Sequence, residues 1–284
     1  IIGAIIGAYL ISKILDGKDV KLNVKKEATD VDKNSELWKE GNGRLQKFIH
    51  SYSFAMTKLN EIIDATYCKY IKDTVNNTCY FKFVNIPILN FYKIAFGGNI
   101  VFTSSEFTYN NRIQFKFPEG DKFFKYPDDT DSIPGWEERN LVCYEAKWRV
   151  GNDSLAYQYL QNDANKFFPF SVKVEATEVH CYVLKKLNHL SDTKFKNKEN
   201  SIKYTDSSYS LKNMPPLVLV KSLNNLALFR KLPVVDETNY TANIDIYLLN
   251  AFKDIVELKK QLLARGLALE EGRRRIKMLV IGPK

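Results

Sequence analysis

Two stretches of this chain overlay one another without a gap, and that register limits the possible folds more than any other feature. Residues 172–184 fall on residues 267–279 at a constant offset of 95: Val172 on Leu267, Val174 on Leu269, Glu175 on Glu270, Cys181 on Ile276, Leu184 on Leu279. The helical segments before them keep the offset, with Leu160 on Ile255, Phe167 on Leu262 and Phe168 on Leu263. Further back the offset widens to 137, where Ile86 meets Leu223, Leu89 meets Leu226 and Tyr92 meets Phe229. Register kept through consecutive elements is the mark of duplicated supersecondary units. The widening then makes residues 99–131 an insertion in the first copy.

Each copy reads as strand, helix, strand, helix, strand, strand. Such a unit closes as an α+β sandwich, its helices packed on one face of an antiparallel or mixed sheet. In the first copy, "CYFKFV" is a strand and "NIPILNFYKIAF" a helix capped by Asn85, with Pro87 in its first turn and Gly97-Gly98 at its end. "EFTY" and "RIQFKF" alternate as hairpin strands do, and Pro118 to Asp121 is turn material. "LVCYEAKW" is a strand, Asp153 starts a helix that Pro169 stops, and "SVKVEATEVHCYVLKK" is two short strands or one bent one. The second copy runs as strand "LVLVK", helix "SLNNLALFRKL", strand "NIDIYLL", helix "FKDIVELKKQLLARG", then strands "LALEE" and "RRIKMLVI". Before the copies, "KFIHSYSFAMTKL" fits both periods and is read as a strand. Residues 78–187 form the first unit, 188–216 a polar loop and 217–284 the second unit.

Composition narrows the function class. With 45% hydrophobic and 26% charged residues over 284 positions, the chain is globular and long enough for one large or two ordinary domains. The net charge of +9 is spread from Lys13 to Lys284, with one tight run at Arg273–Arg275. That pattern reads as solvated charge and a basic hairpin tip; a nucleic-acid site gathers its charge on one face. No nucleic-acid partner is expected. Cys68, Cys79, Cys143 and Cys181 form no Cys-x-x-Cys, and His50, His180 and His189 are scattered, so spacing suggests neither a metal nor a cofactor. Free thiols and one or two disulfides both remain compatible with the sequence. The apolar opening "IIGAIIGAYLISKIL" is short of a membrane span, and a start without methionine reads as a fragment or processed form.

The C-terminal block "SLNNLALFRKLPVVDETNYTANIDI…LKKQLLARGLALEEGRRRIKMLVI" resembles a bacterial domain family of unknown function with a "PVVD-TGLTG-YDF" signature. "NIPILNFYKIAFG", "IPGWEERNLVCYEAKW" and "LQNDANKFFPFSVKVEATEVHCYVLKK" are similar to the same family's first half, so the likeness spans about residues 79–284. Such domains stand alone, behind BlaR-type sensor peptidases, or C-terminal to TlpA-like thioredoxin domains in Gram-negative envelopes. Residues 1–27, with "LDGK" at 15–18, resemble the last strand and helix of a TlpA-like domain; 28–77 would then be linker and lead-in strand. Each copy also looks similar to the short N-terminal domains of secretins and TonB-dependent receptors, which bind partner proteins.

The resemblance implies a non-enzymatic protein-binding or assembly module, periplasmic or envelope-associated, accessory to a thioredoxin-like thiol-disulfide protein. Any redox chemistry, and any membrane contact, would lie in upstream sequence. It supplies no catalytic residues to carry over. The chain departs from the signature at Thr238-Asn239-Tyr240-Thr241-Ala242, where both glycines are missing, so Asn239 is expected to take the left-handed turn position. Two rival readings are a hydrolase-type enzyme using a groove between the units, and a peptidoglycan or anionic-polymer binding module.

Five residues stand out as binding candidates. Asp236 and Glu237 are adjacent acids, but neighbours on an extended segment point apart, unlike a catalytic pair set across a substrate. Asp236 is better read as a turn cap. Trp136 and Trp148 flank "EERNLVCYEAK" as an aromatic surface or as core, and Tyr240 sits in the altered signature loop. No Gly-x-Ser-x-Gly or phosphate-cradling loop is present.

Overall fold

A computed structural model describes residues 52–56, 66–100, 106–188, 200–205, 207–250 and 253–284. The expected thioredoxin-like remnant at 1–27, the linker to residue 51 and much of the 188–216 segment lie outside them. The chain is α+β, with several sheets and short helices. The described residues fall into two compact units. The N-terminal unit takes those up to Thr108, Ile113–Glu175 and Met278–Lys284; the C-terminal unit takes Tyr109–Arg112 and Ala176–Lys277.

In the N-terminal unit, β1 (Tyr52–Met56), β2 (Tyr67–Asp73) and β3 (Thr78–Pro87) lead into helix α1 (Ile88–Gly97). After β4 (Ile113–Phe115) and helices α2 (Gly120–Phe124) and α3 (Ile133–Asn140) come β5 (Leu141–Arg149), α4 (Asp153–Phe167) and the start of β6 (Phe170–Lys186). The sheet order is β1-β5-β3-β2, antiparallel throughout. Phe81, Phe83, Tyr144 and Ala146 face the helices and meet Phe91, Ala156 and Leu160 in one buried core. Phe91 is edge-on to both Phe83 and Tyr144, at 5.1 and 4.9 Å between ring centroids.

The C-terminal unit contains β7 (Ser201–Tyr204), β8 (Ser208–Met214), α5 (Pro216–Asn224), β9 (Val234–Glu237), β10 (Ile244–Leu249), α6 (Ile255–Leu263) and most of β11 (Leu267–Pro283). Its three-stranded sheet is ordered β10-β8-β7, and β9 runs parallel to β6 with Tyr182 opposite Val234. Tyr209, Leu211, Ile244, Ile246 and Leu248 pack on Leu219, Leu223, Leu258 and Leu262. The alternation of β10, with 244, 246 and 248 buried and 245, 247 and 249 exposed, is that of a strand with one solvated face.

The expected strand at "CYFKFV", the helix from Asp153 and the strand at "NIDIYLL" are present. Other segments differ, each for a local reason. Asn85 does not cap α1. It lies in β3 at φ 48°, where the register against β5 shifts, and Pro87 holds the cap position in extended geometry. A residue before proline resists helical angles, so Ile86 stays extended and the helix starts one step later. "LVLVK" is helix α5, because Pro215 and Pro216 preset its start and Leu219, Val220 and Leu223 supply a helical stripe. "SLNNLALFRKL" keeps only a 3-10 turn at Ala227–Phe229.

"EFTY" is turn, and β4 pairs in parallel with the end of β11 instead of closing a hairpin, with Ile113 opposite Leu279. Gly120 begins α2 rather than sitting inside a turn. The segment read as a polar loop carries the β7–β8 hairpin; its Ser and Lys positions belong to a solvated sheet face. "LALEE" and "RRIKMLVI" form one 17-residue strand, as does "SVKVEATEVHCYVLKK" before it. Arg273–Arg275 therefore lies within a strand and not at a hairpin tip.

Candidate functional site

The connection from Asp236 to Tyr240 is a well-bonded turn. The Asp236 carboxylate accepts from the Thr238 amide at 2.9 Å and the Thr238 hydroxyl at 2.7 Å, and Thr238 Oγ1 accepts from the Tyr240 amide at 3.3 Å. Asn239 takes φ 49°, the left-handed position a glycine would otherwise fill. Glu237 turns the other way, into a two-pronged pair with Arg274: Nε on Oε1, and Nη2 on Oε2 at 2.8 Å. Arg274 beside it holds the Glu237 carboxyl below the usual glutamate range. Arg273 pairs with Glu178 at 2.6 Å, so two members of the basic run have carboxylate partners. The Lys186 ammonium lies 4.2 Å above the ring of Tyr240.

The two tryptophans belong to the N-terminal unit, the other three candidates to the C-terminal one. Trp136 on α3 is buried and meets Tyr126 edge-on at 5.0 Å; Trp148, also buried, lies 5.7 Å from Phe81 and 5.6 Å from Tyr159. Neither offers an aromatic surface. No disulfide joins the four cysteines; Cys79, Cys143 and Cys181 have no exposure, and burial pushes the Cys68 thiol up to about 12. Among the described residues no group of three His, Cys, Asp or Glu side chains is placed to hold a metal, and no helix is long and apolar enough to cross a membrane.

What the structure brings together instead is a strand edge. On the solvated face of β10-β8-β7, Tyr247 and Leu249 are each about half exposed, at 49% and 48%, opposite only Ser210 and Ser208. Lys203 lies beyond Ser210 on β7. In the N-terminal sheet the face turned away from the Phe81–Phe83 core is closed: Cys143 and Glu145 on β5 have no exposure and Lys82, opposite Glu145, has 3%. Helix α3 packs against β3 and β5. β1 pairs along the outer edge of β5 from Cys143 to Lys147, whereas among the described residues no strand pairs with the outer edge of β10.

That edge is plugged at one point. Gln261 on α6 accepts from the Leu249 amide at 2.9 Å and donates to the Leu249 carbonyl at 2.6 Å, the pair of bonds a neighbouring strand residue would make. Its Nε2 also donates to Glu257 at 2.7 Å. The sequence reading missed this surface, although its signal is visible: in "NIDIYLL" the outward positions of a period-2 strand include a tyrosine and a leucine. Comparison with family models, with curated proteins and with solved structures finds no match.

Proposed function

We propose that the chain is a protein-binding module of the bacterial envelope, non-enzymatic and accessory to a thioredoxin-like thiol-disulfide protein. It is built as two tandem related α+β units of the kind found at the N-termini of secretins and TonB-dependent receptors. The observation that carries the binding role is the exposed Tyr247–Leu249 face in one unit, where the same face of the other is buried. A half-exposed tyrosine and leucine side by side on a flat serine-lined sheet form the apolar centre of an interface.

The kinship of the units is supported by matching irregularities, which are more telling than matching elements. Asn85 and Asn213 both take a left-handed φ, 48° and 52°, at a register shift two residues before a proline that caps the next helix. Phe81, Phe83 and Phe91 then correspond to Tyr209, Leu211 and Leu219 at an offset of 128, all without exposure. Asn152 and Asp254 cap α4 and α6 with side-chain bonds to the amides of Leu155 and Val256. From them, Ala156 and Leu160 correspond to Leu258 and Leu262 at an offset of 102. The overlay at 95 differs from this by seven residues, two helical turns, so the wrong helix register presents the same apolar stripe.

The test compares immobilised wild-type chain with a Tyr247→Lys/Leu249→Lys double variant in a Gram-negative envelope extract. A discrete protein retained by the wild type and lost by the variant, at unchanged far-UV circular dichroism, is the expected result. Equal retention by both, or retention of nothing, overturns the reading.

A further inference from the structure

We infer that β10 is the docking edge for an extended segment of a partner protein, which adds antiparallel to the sheet over Asp245–Leu249 and displaces Gln261 from Leu249. This rests on the protein-binding reading above and gives it a mode of recognition. β1 supplies the precedent. Its five residues pair antiparallel with β5 from Met56 opposite Cys143 to Tyr52 opposite Lys147. Matched through the shared bulge, Val142 corresponds to Ile244 and Tyr144 to Ile246, so the stretch that β1 covers corresponds to Asp245–Leu249. The same frame thus accepts a five-residue strand on this edge in one unit and presents it bare of a strand, among the described residues, in the other.

The backbone is phased for the addition. The Asn250 amide donates to Ser207 at 2.7 Å, so residues 246, 248 and 250 turn their peptide groups toward β8. Asp245, Tyr247 and Leu249 turn theirs outward, and the Gln261 bonds to Leu249 lie on that side. Edge strands are commonly blunted with proline, lysine or a covering element. Between Asp245 and Leu249 the sequence offers one charge, Asp245, at the far end, and no proline. Gln261 protects one rung, and among the described residues no strand pairs with the next. A fitting occupant presents unblocked amides on alternate residues and apolar side chains toward Tyr247 and Leu249.

The test uses the full chain and a fluorescein-labelled peptide of residues 50–58, "HSYSFAMTK", the sequence around the strand that fits the equivalent edge, read by fluorescence anisotropy. Two further peptides carry N-methyl groups on alternate residues in the two opposite phases. Expected are saturable binding, loss of binding in one methylation phase only, and about tenfold tighter binding to Gln261→Ala, which no longer competes for Leu249. Tyr247→Pro should abolish binding while keeping the fold, because that amide faces away from β8. No peptide binding, equal binding of both methylated peptides, or binding indifferent to both substitutions overturns strand addition. The lysine double variant above would still report on the binding face, so the two failures are separable. A concentration-dependent dimer abolished by Tyr247→Pro also overturns the proposal, since the edge would then belong to a second copy.

Discussion

Asn224, at the end of α5, is fully used by its surroundings, and replacing it should cost the C-terminal unit much of its stability. Its Oδ1 accepts from the Val234 amide at 2.8 Å and from Asn111 Nδ2 at 3.0 Å; its Nδ2 donates to Val234 O at 2.9 Å and to Val220 O at 3.0 Å. Two donor and two acceptor capacities are all filled, at a residue 8% exposed beside a Val234 with no exposure. Asn224→Leu keeps the volume and leaves the Val234 N–H and C=O without these partners. At about 1–3 kcal/mol for each orphaned buried group, the loss is about 2–6 kcal/mol. Asn224→Asp should be no milder at neutral pH, because a second carboxylate oxygen would face two carbonyls. Its penalty should shrink as acid protonates it.

All three tryptophans (Trp38, Trp136 and Trp148) precede residue 149, so none lies in the segment to be probed. Hydrogen exchange of the 224–237 peptide by mass spectrometry, beside urea unfolding followed by far-UV circular dichroism, supplies the measurement. Asn165 brackets Val172 in the same way in the N-terminal unit, at 2.9 and 3.1 Å, but is half-buried and open to water. Asn165→Leu should therefore cost less. An Asn224→Leu chain within about 1 kcal/mol of wild type, with unchanged exchange at Val234, would refute the reasoning.

Lys93 is 6% exposed, donates to Thr108 O at 3.1 Å, and burial pushes its ammonium down to about 8. The unfolded lysine, near 10.4, binds the proton more tightly than the folded one, so stability should rise as pH climbs from about 8 toward 10. Lys93→Met should remove that slope and stabilise the chain at pH 7 by up to about 3 kcal/mol, checked by denaturant titrations across that range. At Asn239, glycine should be neutral or mildly stabilising, whereas alanine should cost about 1 kcal/mol for the left-handed φ, read as a shift in thermal midpoint. Ellman's reagent should find four thiols after unfolding and almost none in the native chain; fast native labelling of Cys79, Cys143 or Cys181 would contradict their burial.

The parts of the fold that were legible in the sequence are those where one periodicity has no rival. β3, with its alternating aromatics, and α4, capped by Asn152 and stopped before Pro169, declare themselves. The run Leu217–Val220 did not, because four apolar residues, two of them β-branched, suit either a strand or a buried helix; the two prolines that decide it act on the backbone, not on the pattern. Long-range pairing was also hidden. Nothing near Ile113 announces a parallel partner at Leu279, 166 positions away. At the candidate site, the Asp236 cap and the Asn239 turn were readable because such contacts span two or three residues. The Glu237–Arg274 pair and the Gln261 plug were not, because each depends on which strands become neighbours.

If the two units are related as proposed, the difference between them locates function better than either unit alone. Shared features, the left-handed asparagines and the capped helices, are what the frame requires and say nothing about a ligand. On the proposed kinship, a place where the units diverge is one that the common frame does not demand. β5 is buried on both faces and paired on both edges, and the 99–131 segment that precedes α3 has no counterpart of similar length between α5 and β10. β10 keeps the inward pattern of Ile244, Ile246 and Leu248 while its outward residues are Asp245, Tyr247 and Leu249. If those positions served folding alone, polar substitution would be free, since no core contact depends on them. A tyrosine and a leucine there lower solubility without adding to the core, and an edge strand that bears them invites pairing. Gln261, which bonds both peptide groups of Leu249, fits a surface that is held in reserve: it satisfies one rung while the chain is alone and is replaceable by a strand that satisfies two more.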